Sequence, residues 1–276
     1  MTTRQPSDCF DVTAAKARCV QFRKRILKIS QHTPLHVAPS FSCLEMVDVV
    51  YYGLMRRSED GRLRDTFILS KGHGAAAQYV VLEALGILAS EDLDKMCLVD
   101  GKLGTHPDYG TPGIEASTGS LGHGLPLALG MALSDKVNHI DRLIYLVMSD
   151  GEMQEGSVWE ALMLAPTLGL TNLVAFVDLN DWQSLGQTSK ILPNFYPVRP
   201  KAESFGWEVA EVDGHDEAAL LQCVQARKGA APLLVFGKTT KGKGVSYMEN
   251  VPIWHYRSPS PTEYQQALRE LDGVSA

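Results

Sequence analysis

Two polar residues close two short apolar runs. Residues 143–148 (LIYLVM) break off at Ser149-Asp150-Gly151, and residues 173–177 (LVAFV) break off at Asp178-Leu179-Asn180. Between them Val158, Ala161, Leu162, Ala165 and Leu168 recur at helical spacing. Strand, helix and strand in this order put both carboxyl ends on one edge of a parallel sheet, the edge where open α/β sheets bind ligands. Asp150 and Asn180 are therefore expected side by side. An acid beside an amide suits a hard divalent cation, since magnesium takes oxygen ligands from one or two such groups, from water and from substrate phosphates. Gly151 lets a ligand approach the backbone, and the helix that follows offers N–H groups to a phosphate. The residues read as a magnesium–diphosphate site. The bland alternative is a polar turn, for which Asp and Gly are ordinary residues.

The elements that must position these residues follow from the rest of the chain. Its 276 residues are 45% hydrophobic and 21% charged, an ordinary globular composition. The formal net charge of -6 argues against a nucleic-acid backbone as partner. No apolar run is long enough to span a membrane, and the amino-terminal residues lack the apolar stretch of a signal peptide. The five cysteines are scattered with no C-x-x-C, so neither a zinc site nor a disulfide framework is indicated. A reduced, cytoplasmic protein is the default. Residues 1–12 read as a poorly ordered arm, and 13–276 as one doubly wound α/β domain, its mostly parallel sheet covered by helices on both faces. Helices are expected at 12–31, 44–54, 75–85, 125–137, 217–227 and 261–271, the last capped by Thr262. Further strands are expected at 65–69, 207–212 and 232–236. Residues 98–124 are glycine-rich and irregular, which in a compact domain marks a functional loop. Residues 183–199 read as a polar loop.

Other chemistry-bearing residues are less specific alone. Ser70-Lys71-Gly72-His73-Gly74 follows a strand and opens a helix, but a Gly-His turn is more often structural. Gly237-Lys238-Thr239 mimics the end of a P-loop, and Pro232 replaces the glycine that loop requires. Lys241 and Lys243 read as a solvated basic turn. His32, His139 and His215 have no motif around them and read as surface residues, and His123 receives no role.

In combination these segments resemble transketolases. The S-D-G, the helix with QEGSVWEA and the strand NLVAFVDLN resemble the thiamine-diphosphate signature of that family. So do SKGHG, the segment 103–125 (LGTHPDYGTPGIEASTGSLGHGL) and the closing run KTTKGKGVSYMENVPIWHYRSP. The resemblance covers residues 14–271 and implies the following assignments. Asp150, Asn180 and the backbone carbonyl of Trp182 hold the metal, Mg2+ or another divalent cation such as Ca2+ or Mn2+. Gly119, Ser120, Leu121, Asp150, Gly151, Glu152, Asn180, His73 and His255 contact thiamine diphosphate. His36, His73, His106 and His255 face the sugar as proton-transfer and hydroxyl-binding groups, imidazole titrating near the operating pH. Glu155, together with Glu115, belongs to a carboxylate network at a subunit interface.

The chain departs from the family in two places. Ser149 and Leu179 replace more usual residues without touching a ligand position. The loop at 35–42 keeps His36, and Glu45 beyond it, but loses both family glycines and gains Pro39. That change hints at an unusual acceptor. The implied reaction moves a two-carbon ketol unit from a ketose to an aldehyde. The implied protein is the amino-terminal subunit of a split transketolase, whose pyrimidine-binding domain comes from a separate carboxy-terminal subunit, in a two-plus-two heterotetramer. The rival readings are the α subunit of a thiamine-dependent 2-oxo-acid dehydrogenase and a non-catalytic partner subunit.

Overall fold

The computed structural model describes residues 10–273. Most of the expected arm, residues 1–9, lies outside them. Phe10 packs against the core, and Asp11 caps the first helix by accepting from Thr13 N at 2.8 Å.

Five strands form one sheet in the order β1-β2-β3-β7-β6, every pair parallel. They are β1 (Thr66–Leu69), β2 (Ile144–Ser149), β3 (Leu173–Leu179), β6 (Glu208–Asp213) and β7 (Leu233–Lys238). The central strands are apolar throughout because both faces are covered. Tyr145 and Val147 of β2 enter one core, while Ile144, Leu146 and Met148 enter the other. The first core lies under α1 (Val12–Ser30), α2 (Val37–Ser42), α3 (Leu44–Asp48), α4 (Ala75–Ala84), α10 (Glu217–Gln225) and α11 (Pro261–Leu271). The second lies under α6 (Gly124–Val137), α7 (Gly156–Thr167) and α9 (Arg199–Phe205). This is the doubly wound arrangement expected from the sequence.

Three local expectations need correction. The helix expected at 44–54 is α3 running into a π-helical turn, Val49–Leu54, and α2 precedes it. Pro39 does not prevent α2, because it stands in the first turn, where an N–H has no intrahelical acceptor. A short helix, α5 (Ser90–Asp94), precedes the glycine-rich region. The loop 183–199 holds a small hairpin of β4 (Trp182–Gln183) and β5 (Gly186–Gln187), then α8 (Thr188–Ile191), pieces too short to leave a period in sequence. The cap of α11 is Ser260, not Thr262. Ser260 and Glu263 form a reciprocal capping box, with Ser260 N donating to Glu263 Oε2 at 2.8 Å.

Candidate functional site

Parallel register delivers the ends of four strands to one edge. Ser149 pairs with Asp178 and Leu179 with Lys238, so Asp150 follows beside Leu179, and Asn180 and Thr239 come one residue further out. Asp150 is fully buried. Its Oδ2 accepts from Asp181 N at 2.9 Å, Thr188 Oγ1 at 3.1 Å and Tyr196 OH at 2.9 Å. Among the described residues its Oδ1 accepts only from Gly151 N, at 2.9 Å, and keeps a lone pair. Asn180 Oδ1 accepts from Trp182 N at 2.9 Å and likewise keeps one. Burial, with Asp178 nearby, pushes the Asp150 carboxyl up to about 6. The donor set is all oxygen and fits magnesium. Residues 183–199, read as a plain loop, thus supply Thr188 and Tyr196, which fix the carboxylate.

The strand ends also converge on four histidines. His73 lies in a 3-10 turn, Gly72–Gly74, directly after β1, and His255 ends another, Pro252–His255. His36 precedes α2, and His106 projects from the glycine-rich loop. Ring centroids are 5.4 Å apart for His36–His255, 5.8 Å for His36–His73, 5.6 Å for His73–His255 and 6.3 Å for His36–His106. Two glycines let the loop close on them. A Cβ on Gly72 would lie 2.6 Å from Gly119 N, and Gly119 has φ +137°, where a Cβ would lie 2.7 Å from His106 Cδ2. Thr118 Oγ1 pins this loop to β1 by donating to Leu69 O at 2.6 Å. Ser120 is exposed, while Gly119 and Leu121 are half-buried.

Burial and two lysines set the electrostatics of the cluster. Burial, then His106 and the ammonium groups of Lys241 and Lys71, lowers His36 to about 4. Burial and Lys241 lower His255 to about 3, and burial and Lys71 hold His73 well below the ordinary value. Burial and the neighbouring ammonium groups thus disfavour the charged form of these three imidazoles, and a neutral ring offers one donor and one acceptor. Lys241 is not a solvated turn residue. It is buried, and its Nζ lies 2.5 Å from His255 Nδ1. An ammonium donating to Nδ1 leaves the His255 proton on Nε2. Lys243 is half-buried.

Sequence reasoning missed a buried ion pair beneath the histidines. Lys71 Nζ donates to Asp178 Oδ2, to Pro39 O at 2.8 Å and to Ser42 Oγ at 3.2 Å. Asp178 also accepts from Ser42 Oγ at 2.5 Å and from Thr239 Oγ1. Burial alone would raise the Asp178 carboxyl, but Lys71 and the hydroxyl donors hold it below the ordinary range. The pair ties β1 to β3 and to the segment carrying His36. His215 is also not a surface residue. Its Nδ1 is 3.0 Å from Glu45 Oε2, and its Nε2 accepts from Thr240 N at 2.8 Å. His32 and His139 are exposed, as expected.

The remaining assigned residues separate into two groups. Glu152 is buried and turned inward, with Oε1 accepting from Ser70 Oγ and from Gly122 N at 3.0 Å. It braces the loop and has no oxygen aimed at the cleft. Glu115 and Glu155 are exposed, and their carboxylates make no hydrogen bond among the described residues. They are not drawn into the histidine cluster.

Comparison with known proteins agrees with this geometry. Residues 28–265 match the family described as transketolase, thiamine diphosphate binding domain. The chain is 37% identical over 255 residues to an apulose-4-phosphate transketolase subunit of Phocaeicola vulgatus, covering 90% of each chain. It is 36% identical over 247 residues to the 6-deoxy-6-sulfo-D-fructose transketolase subunit SqwG of a Clostridium species, covering 87% of this chain and 90% of that one. The transketolase structure of Campylobacter jejuni superposes with a TM-score of 0.87 at 26% identity, over 95% of this chain and 43% of that chain. This chain therefore spans less than half the length of that transketolase, whereas it matches the two subunits over most of theirs. It belongs to the transketolase family and is its thiamine diphosphate-binding domain, corresponding to the amino-terminal subunit of a divided enzyme.

Proposed function

We propose that the chain binds thiamine diphosphate through a divalent cation held by Asp150, Asn180 and the Trp182 carbonyl, and transfers a two-carbon ketol unit from a ketose to an aldehyde together with a separate carboxy-terminal subunit. The observation that carries this reading is the convergence of His36, His73, His106 and His255, with ring centroids of 5.4–6.3 Å for the close pairs, at the strand edge that also bears Asp150 and Asn180. A metal–diphosphate site alone would serve many reactions. A cluster of imidazoles beside it suits a polyhydroxylated substrate, because a neutral ring offers one donor and one acceptor.

Bound thiamine diphosphate would supply the electron sink for breaking and remaking a carbon–carbon bond. The chain's own residues would do the rest. The free lone pairs of Asp150 Oδ1 and Asn180 Oδ1 would complete the metal's oxygen shell. The Gly119–Leu121 backbone, held down by Thr118, would flank the cofactor. His255, protonated on Nε2 by the donation it receives from Lys241, would donate to a phosphate or hydroxyl oxygen. His36, His73 and His106 would orient sugar hydroxyls and pass protons between them. Glu115 and Glu155, exposed here, would meet the other polypeptide, as would the flank of α6 and α7, where Leu127, Met163 and Leu164 are exposed. A two-plus-two heterotetramer in the cytoplasm follows from this reading. The two relatives are named for a phosphorylated and a sulfonated ketose, so the reaction class is common ground and the sugar is not.

The test is a ketol-transfer assay on the purified chain, repeated with a candidate carboxy-terminal subunit. Activity is expected only from the mixture. Substantial turnover by this chain alone would sink the divided-enzyme reading.

A further inference from the structure

Tyr256 follows the last of the four histidines and has no part in the assignments above. Its ring lies 4.5 Å from that of His255 at 62° and 5.5 Å from that of His36 at 66°. It is 58% exposed, and its hydroxyl has no hydrogen-bond partner among the described residues. The backbone on either side is fixed. Trp254 is buried against Tyr247, their rings 4.9 Å apart. Arg257 lies with its guanidinium carbon 4.5 Å from the Trp254 centroid and pairs with Glu263 of the α11 capping box at 2.6 Å. The turn thus presents the phenol at one place, against two imidazoles and open to the cleft. Burial of apolar area does not explain the position, since most of the ring remains in water. What the position creates is an aromatic wall beside a set of hydrogen-bonding groups, the mixture that lines small-molecule sites.

We propose that Tyr256 is a specificity-determining residue, whose ring stacks on the carbon chain of the sugar while His36 and its neighbours take the hydroxyls. This inference rests on the transketolase reading. The phenol stands on the outer side of the cluster, so only a substrate long enough to extend past His36 and His255 meets it. A two-carbon aldehyde is too short. The ring, not the hydroxyl, carries the effect, because the contacts to both imidazoles are ring contacts.

The test uses the complex assembled with the carboxy-terminal polypeptide and compares wild type, Tyr256→Phe and Tyr256→Gly. The acceptors are glycolaldehyde, glyceraldehyde, erythrose and ribose. Loss of one aromatic contact should raise KM for the longer aldehydes roughly three- to tenfold in Tyr256→Gly. Its kcat, and its KM for glycolaldehyde, should stay near wild type. Tyr256→Phe should behave as wild type throughout. Calorimetric titration with thiamine diphosphate and Mg2+ should give the same affinity for all three proteins. If Tyr256→Gly shows the wild-type KM for every aldehyde, or shifts all of them equally, the inference is wrong. If Tyr256→Phe is as impaired as Tyr256→Gly, the stacking role is wrong. A wild-type complex that binds the cofactor but transfers no ketol unit overturns the transketolase reading, and this inference falls with it.

Discussion

Replacing Lys71 with methionine should be strongly destabilising, although the two side chains are alike in length. The Lys71 side chain is 1% exposed and that of Asp178 is 0% exposed. The Lys71→Met side chain fills similar space without the ammonium. Asp178 would keep its donors from Ser42 and Thr239 but lose the ammonium of Lys71, and Pro39 O would lose its ammonium donor. Removing one partner of a buried pair costs about 3–5 kcal/mol, because the other charge is left uncompensated. At roughly 2–4 °C per kcal/mol for a domain of this size, the melting temperature should fall by about 6–20 °C. Asp178→Asn should cost a comparable amount by stranding the ammonium. The double variant restores neutrality, so its loss should be smaller than the sum of the single losses by on the order of 1–3 kcal/mol. Urea or thermal unfolding of the four proteins measures this. Additivity within about 0.5 kcal/mol would refute the argument, since it would mean the two charges do not stabilise each other. The single variants should also bind thiamine diphosphate more weakly, because Lys71 ties α2, and with it His36, to the ends of β1 and β3.

Three further outcomes are expected. Asp150→Ala should abolish magnesium-dependent thiamine diphosphate binding by calorimetry, and a folded variant with unchanged affinity would remove the metal assignment. Lys241→Met should stabilise the chain. Burial, aided by Lys71, lowers Lys241 from 10.5 to about 8, so the unfolded chain binds the extra proton between those values and stability rises with pH across that window. Below pH 8 the penalty is fully present, on the order of 3 kcal/mol, so the variant should melt higher at pH 7 and the gain should fade toward pH 10.5. A lower melting temperature at pH 7 would contradict this. Glu45 behaves oppositely. Burial would raise its carboxyl, but Arg23 and His215 hold it below 4.5, so its stabilisation is present above that pH and lost as the pH falls through the depressed value. Glu45→Gln should flatten the decline in melting temperature as the pH falls below 4.5, and an unaltered decline would place the acid sensitivity elsewhere.

The sequence by itself determined the sheet and its ligand edge. Runs such as LIYLVM and LVAFV are short, apolar and bounded by polar residues, as buried parallel strands are, although β3 runs on through the buried Asp178 to Leu179. That was enough to put Asp150 and Asn180 together and to find the helices, whose apolar spacing is a local property. Resemblance added the four histidines, and the tertiary structure gathers the other three around His36, with ring centroids 5.4–6.3 Å from it. What local pattern could not show was which charges are buried. Lys71 follows a strand and reads as an ordinary turn residue, as does Lys241. Their burial depends on Asp178 and His255, which the fold supplies from distant segments. His215 looked solitary for the same reason, its partners being Glu45 and the backbone of Thr240. The protonation states were equally out of reach. The charged forms of His36, His73 and His255 are disfavoured because packing removes water from them and sets two ammonium groups beside them. Period and residue type report which way a side chain faces along its own element, whereas desolvation and charge pairing are set by what the rest of the fold places opposite it.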